Sequence, residues 1–379
     1  MPFEIKLKEV SVGYAQTSVQ KGENASIIVR EFTSSEDGDL FISRLEGIPS
    51  DILAAIPDRT IKPSSVDRFL AVIRPDHHAT VYLNDELKLL VTFTIKGKDI
   101  EAGEAVFSDN IADIQQMTFH GISVPEDTGI VFVFSQGWRK GFYFDLVPLI
   151  GPSFTRRNYD LTKLLGQSFA YLVFQHLFKI TESEWSVILD QKWFPFITLK
   201  NHIVKEIIAY ARNQWNIDDL TERVAEDLRV QLPSIVRKWH RNNLFESHVL
   251  LFEQAVNRYL AGDYISASAI LYPRIEGLMR SYLNSHGLTL KPSPKNLVTS
   301  VIDANVTSRH DFSSLLPKNF SRYLTDVYFA NFDPQNPEIL SRHTVAHGVA
   351  PANDFSLKAA TIGLLLLDQL SFYLSPREL

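Results

Sequence analysis

Cysteine is absent from all 379 residues. Its absence excludes disulfides and thiolate metal sites and fits a reducing compartment. Neither sign of charge dominates. The chain has 38 Lys and Arg against 44 Asp and Glu, a formal net charge of −6, so it offers a polyanion no general attraction. Any nucleic acid has to be held by a local basic patch. Long apolar runs are missing as well: Leu364 to Leu367 is soon broken by Asp368, short of the roughly 18 apolar residues that span a bilayer. Met1-Pro2-Phe3-Glu4-Ile5-Lys6 lacks the apolar core of a secretion signal. These absences predict a cytoplasmic chain with no membrane partner.

What remains is ordinary for a globular protein, 45% hydrophobic and 22% charged, in a chain long enough for two or three domains. Strand signals come first. Ile5 to Val10 alternates, and Ser26 to Arg30, Leu70 to Arg74, Ala79 to Leu83 and Leu89 to Ile95 are short apolar or β-branched runs separated by turn-rich pieces such as Ser34 to Asp39. The clearest hairpin is Ile130 to Phe134 and Phe142 to Leu146 around the loop 135–141. This loop carries Trp138, Arg139 and Lys140, a ring to stack on a base and two cations for phosphates. The same tip equally suits a Trp folded onto its own domain. No glycine-rich phosphate loop occurs in this region, and His77-His78 after Pro75-Asp76 fits a solvated turn.

From Tyr159 the period becomes helical. Leu161, Leu164, Leu165, Phe169, Leu172, Val173 and Leu177 trace one face, and Thr181-Glu182-Ser183-Glu184 is a capping box opening the next helix. The pattern breaks at Pro195 and resumes over Ile203 to Tyr210. The basic run Arg237-Lys238-Trp239-His240-Arg241 offers a polyanion contact through Arg237, Lys238 and Arg241, or is a solvated helix end. Strands before helices predict a multidomain α+β protein: an antiparallel β sandwich or barrel-like domain over 1–155, a helical linker over 156–243 and an all-α domain over 244–379.

In the last region, Phe245 to Leu260 and Tyr264 to Asn284 read as helices around a Gly262-Asp263 turn, with Pro273 expected to kink the second. Glu276 sits near that helix's apolar stripe and needs a partner if ionised: either a residue of the site below or Arg280, four positions on. Lys291 to Pro294 reads as a connector, Phe320 to Phe329 as a helix and 333–337 as a loop. The final helix, Phe355 to Leu374, is apolar on almost every side, a surplus that fits a dimer face.

Between these helices stands Ser341-Arg342-His343-Thr344-Val345-Ala346-His347-Gly348. Arg is permanently charged with a fork that matches phosphate, and His exchanges protons near neutrality. On a helix, Arg342 and His347 lie about 140° apart while His343 and His347 share a face. Gly348 is placed to end the helix, and His347 is then in its last turn, where the dipole favours a protonated ring. An ordinary basic helix end has the same composition. His343 and His347 also have the i, i+4 spacing of zinc helices, but Thr344 stands where H-E-x-x-H needs its glutamate.

Arg342, the polar His343 after it, and His347 five positions on, followed by Gly348, resemble the R-x4-6-H signature of the HEPN ribonuclease superfamily, over residues 245 to 379. The resemblance implies a compact helical bundle and a homodimer through it, with both motifs facing a shared cleft that cuts RNA without metal or cofactor. It implies that His347 assists proton transfer, Arg342 stabilises phosphorane charge and His343 tunes the pair; Glu276 is expected to orient a motif residue. It further implies a toxin or abortive-infection role answering to an antitoxin or phage-derived trigger. The alternative is a non-catalytic HEPN-like scaffold that binds nucleotide or RNA, or dimerises.

Overall fold

A computed structural model describes residues 2–57, 60–150, 156–287, 293–306, 311–331 and 341–374. The loop expected over 333–337 and the connector residues Lys291 and Pro292 lie outside them. The protein is mixed α+β, with an N-terminal antiparallel sheet and C-terminal helices. Its chain divides into two compact units, Met1–Thr92 with Ile114–Gln175, and Phe93–Asp113 with His176–Leu379. The helices expected as a linker do not stand apart, since from His176 onward they share a unit with those that follow.

The first unit is built on strands β1 (Phe3–Lys6), β2 (Tyr14–Ala15), β3 (Ile27–Ile28) and β4 (Arg30–Ser34), helices α1 (Asp39–Glu46) and α2 (Ile48–Ala54), and strands β5 (Arg68–Ile73) and β6 (His78–Leu83). Then follow β7 (Leu89–Ile95), β8 (Ile111–Phe119), β9 (Gly129–Gln136), β10 (Arg139–Asp145) and α3 (Leu161–Phe178). Six strands form one antiparallel sheet in the order β1-β6-β5-β9-β10-β4, and β2-β3 and β7-β8 are separate two-stranded ribbons.

The apolar runs of β5, β9 and β10 are explained by burial on both faces. Phe69, Ala71, Ile73, Val131, Val133, Phe142 and Phe144 face one core with Phe41 and Leu45 of α1 and Ile48, Ile52 and Leu53 of α2. The alternate residues Leu70, Val72, Ile130, Phe132, Phe134 and Tyr143 face another with Met117 and Phe119 of β8 and Leu165 and Leu172 of α3. The expected sandwich or barrel is therefore corrected in detail. Among the described residues the sheet is open, with β1 and β4 at its edges, and its covering layers are largely helical. Phe41, Leu45, Ile48 and Ile52 carry helical spacing in the sequence, but Gly47 and Pro49 interrupt it, and Pro49 is tolerated because it falls in the first turn of α2. The β9-β10 hairpin turns at Gly137-Trp138, with Arg139 opposite Gln136 and Gly137 at φ +60°, a tighter connection than the loop expected over 135–141.

The second unit contains α4 (Glu182–Asp190), α5 (Asn201–Arg212), α6 (Thr221–His240), α7 (Val249–Leu260), α8 (Tyr264–Ser285), α9 (Pro294–Val306), α10 (Pro317–Tyr323), α11 (Arg342–Ala346) and α12 (Leu357–Leu374). The expected capping box opens α4: Thr181 Oγ1 accepts the Glu184 N–H and the Glu184 carboxylate accepts the Thr181 N–H at 2.8 Å. α8 runs as one helix with Pro273 inside it. The 93–113 segment is tied in by Lys96, whose buried ammonium donates to the carbonyls of Ile197 (2.6 Å) and Leu199 (2.9 Å).

α12 is the core of this unit, packed against α6, α8 and α9 and buried from Ala359 to Leu374. By length and composition alone it is apolar enough to cross a membrane, which corrects the expectation that no stretch is, yet 89% of it is buried inside the protein. Its polar residues all have partners. Asp368 accepts from Thr198 Oγ1 (2.8 Å) and Lys238 Nζ (3.3 Å), and Gln369 accepts the Ile197 N–H (2.7 Å) and donates to the Leu315 carbonyl (3.2 Å). The apolar surplus read as a dimer face is thus covered by the chain's own helices.

In the first unit, Gly166 of α3 lies against the backbone of β8: a Cβ there would stand 2.6 Å from Gln116 Cα and 2.8 Å from the Gln115 carbonyl oxygen. Gly166→Ala is expected to destabilise this unit by about 1–3 kcal/mol through overpacking. Urea unfolding followed by tryptophan and far-UV signals measures it, and an unchanged midpoint would contradict the packing described.

Candidate active site

Ser341 and Thr344 are both fully buried and cap α11 reciprocally. The Ser341 hydroxyl accepts the Thr344 N–H at 3.3 Å, and Thr344 Oγ1 accepts the Ser341 N–H at 2.9 Å. Thr344, the residue that spoils a zinc helix, is here a capping residue. At the other end Gly348 takes φ +70° and donates to the Val345 carbonyl, while the Val349 N–H reaches the Thr344 carbonyl at 3.0 Å. This is a Schellman ending with Gly348 as its left-handed residue, as the sequence predicts. Between its two caps α11 is a single turn, with Arg342 as first residue and His347 as the C-cap just beyond it. So short a helix sums few peptide dipoles, which removes the basis for expecting its dipole to act on His347.

The caps set Arg342 beside α8. Its Nε pairs with Oε2 of Glu276, a carboxylate that is 3% exposed, while Oε1 of the same group accepts from Arg280 Nε at 2.8 Å. Glu276 therefore contacts both the motif arginine and the arginine one turn along its own helix. A buried carboxylate with a guanidinium on each oxygen is compensated. Tyr328, next to this cluster, is buried and donates to the Tyr272 carbonyl at 2.5 Å. Burial holds its hydroxyl proton well above the ordinary range, with the Glu276 charge adding to the effect.

Arg342 Nη1 lies 3.3 Å from His343 Nδ1. Because a guanidinium only donates, Nδ1 is the acceptor and the imidazole is neutral with its proton on Nε2. Burial, then the Arg342 charge, lowers the His343 pKa below its usual 6.5, against the opposing pull of Glu276. The His343 ring stands between Phe329, 6.2 Å away, and the exposed His347, 6.4 Å away and within 16° of parallel. Glu276, Arg342, His343 and His347 thus form one connected constellation. Among the described residues no group of three His, Asp or Glu side chains is placed to hold a metal ion.

The residues expected to hold RNA are not gathered here. Trp138 is 76% exposed at its turn, but its neighbours are engaged within the first unit. Arg139 lies 5.0 Å over the Trp138 ring and donates to the Leu172 carbonyl at 2.8 Å, and Lys140 donates to the carbonyls of Ser64 (2.7 Å) and Val66 (2.6 Å). In the second unit the basic run closes α6. Arg237 is exposed, Lys238 turns inward to Asp368, Trp239 is fully buried, and Arg241 faces Asp99 at 3.2 Å. Sequence reading did not pick out Tyr328 and Phe329, which flank the cluster; their only signal was as apolar positions in the expected Phe320 to Phe329 helix.

Since the folded His343 binds a proton less readily than the unfolded one, its contribution to stability is complete above about pH 6.5 and is lost as pH falls through the lower, folded-state value. Imidazole NMR titration should give a midpoint for His343 below that of a free histidine, and Arg342→Ala should raise it. A midpoint that does not move would remove Arg342 from its environment. Compared with known proteins, the chain matches no family model, no curated protein and no solved structure.

Proposed function

We propose that the protein is a metal-independent endoribonuclease whose site is built on Arg342, His343 and His347, with Glu276 as the residue that positions Arg342. The observation that carries this reading is the Glu276 grip on Arg342 Nε. It holds the guanidinium by its inner nitrogen; Nη1 also reaches His343 Nδ1, and the remaining Nη hydrogens are left for a further acceptor, for which a phosphate oxygen is well suited. In the reaction, the ribose 2′-oxygen bonds to the adjacent phosphorus as its proton is removed, the P–O5′ bond breaks, and the departing O5′ takes a proton. His347 assists these transfers, Arg342 stabilises the charge of the phosphorane, and neutral His343, between them, tunes the pair. The products are a 2′,3′-cyclic phosphate and a 5′-hydroxyl.

On this reading the C-terminal helices are a HEPN-like bundle, over residues 245–379 where the resemblance lies. The active form is a homodimer that doubles the motif, acting in the cytoplasm as a toxin or abortive-infection effector under an antitoxin or a phage-derived trigger. The dimer now rests on the resemblance, because α12 is covered within one chain. A second reading, a non-catalytic scaffold that binds RNA or nucleotide or dimerises, is favoured by one observation: Lys238, Arg139, Lys140 and Arg241 are all engaged by the chain's own acceptors.

Incubating RNA with the protein in EDTA separates the two. Wild type is expected to leave 2′,3′-cyclic ends; His347→Ala should slow cleavage by about 10²–10⁴-fold, the range of a lost proton-transfer group, and Arg342→Ala by about 10²–10³-fold, the range of a lost charge-stabilising donor. Cleavage unaffected by either substitution would take these residues out of the site. Wild type that binds RNA without cutting it would establish the scaffold.

A further inference from the structure

Where α4 and α5 end, the second unit carries an open, polar cavity of about 430 Å³, lined by Asp190, Lys192, Gln214, Trp215, Asn216 and Lys358 among others. Gln191 joins the two helix ends: its Nε2 donates to the Trp215 carbonyl (3.0 Å) and its Oε1 accepts the Ile217 N–H (2.7 Å). The Trp215 N–H is held as well, by the Tyr210 carbonyl at 2.9 Å. With its backbone fixed on both sides, Trp215 is nonetheless 55% exposed, its ring at 88° to that of Tyr210. An indole held in place but left open to a polar cavity is a platform on which a flat ring can stack.

Lys192 and Gln214 both hold left-handed backbone, at φ +63° and +56°. Each is the residue that ends a helix: the next N–H, of Trp193 or Trp215, reaches back to Ile188 of α4 or Tyr210 of α5. Glycine fills such positions without strain, whereas a side chain there is strained. Two such side chains in one wall indicate that the side chains themselves are wanted.

Two of the wall's charges answer each other. Lys358 pairs with Asp218, whose carboxylate also accepts from Trp193 Nε1 at 2.8 Å. Among the described residues, the side chains of Asp190, Lys192 and Gln214 have no hydrogen-bond or ion-pair partner, and Asn216 uses only its Oδ1, on the Asp218 N–H (3.2 Å). Two carboxylates against two ammonium groups make the lining neutral, which suits an uncharged ring with polar edges. Of the free groups, the exposed Asp190 only accepts, whereas the amides of Gln214 and Asn216 also donate. We infer that this cavity holds one unpaired guanine of an RNA strand, resting here on RNA as the ligand, which the nuclease and scaffold readings share. The base stacks on Trp215, its N1–H and N2–H donate to the Asp190 carboxylate, and its O6 accepts from the Gln214 or Asn216 amide. Among the four RNA bases, guanine alone carries two neighbouring donors on one edge, matching the two oxygens of a carboxylate. The adjoining cavity, about 230 Å³, shares Lys192 and Lys358 and is also lined by Tyr328, which links the base site to the surroundings of Glu276 and Arg342.

Fluorescence anisotropy with labelled 2′-O-methyl hexanucleotides tests it on the full chain, comparing an all-uridine strand with strands carrying one central guanine or one central adenine. With the 2′-oxygen methylated these strands cannot be cut, so binding is read apart from catalysis. The guanine strand is expected to bind at least about tenfold more tightly than the other two, within the range of one stacked base. Trp215→Ala should remove that advantage, and Asp190→Ala should bring guanine down to adenine, both with unchanged far-UV signal. Equal affinity for the three strands, no binding of any of them, or variants that prefer guanine as wild type does would each overturn the guanine site. A protein that cuts RNA yet shows no base preference loses this site alone, and one that prefers guanine without cutting keeps it and loses the nuclease.

Discussion

A single buried carboxylate, Glu276, carries the candidate site. In the interior of the helical unit an ionised group survives only if its charge is answered, and Glu276 is answered twice, by Arg280 on its own helix and by Arg342 from α11. Arg342 can approach because α11 is cut to one turn by the Ser341 cap before it and Gly348 after it. His343 then accepts from Arg342 and stays neutral, and His347 stands at the open end beside it. Removing Glu276 would leave two cations without their shared counter-charge and the motif arginine without a fixed direction.

α12 makes this arrangement possible. Buried from Ala359 to Leu374, it forms the wall against which α8 lies, and α8 in turn meets α11, where Glu276 pairs with Arg342. The polar side chains inside it, Asp368 and Gln369, tie it to Thr198, Lys238, Ile197 and Leu315, fixing its rotation where an all-leucine surface would tolerate several. Lys238 belongs to that scaffold and not to a nucleic-acid surface.

Much of this was legible in the sequence wherever local chemistry decides. The capping box at Thr181 and Glu184, the helix-ending Gly348, the helices over α3, α7 and α8, and β7 were all readable from spacing alone. Glu276 was flagged as an acid in need of a partner, with Arg280 named as one candidate and an unspecified residue of the motif as the other. What could not be read was whatever depends on packing at long range. β5 and β9 look the same whether a second sheet or a helix covers them, so a sandwich was expected where α1, α2 and α3 lie. α12 shows the same apolar pattern whether its cover is another subunit or its own unit. Lys238 and Arg241 look like a solvated basic patch until Asp368 and Asp99, far away in sequence, arrive beside them.

The most direct test of the Glu276 clamp is the NMR signal of the arginine Nε–H groups. The structure predicts that in wild type the Arg342 and Arg280 Nε–H signals are protected from solvent exchange, and that Glu276→Ala, which leaves no acceptor, removes the protection from both. An Arg342 Nε–H that exchanges freely in wild type, or that is equally protected without the carboxylate, would contradict the clamp.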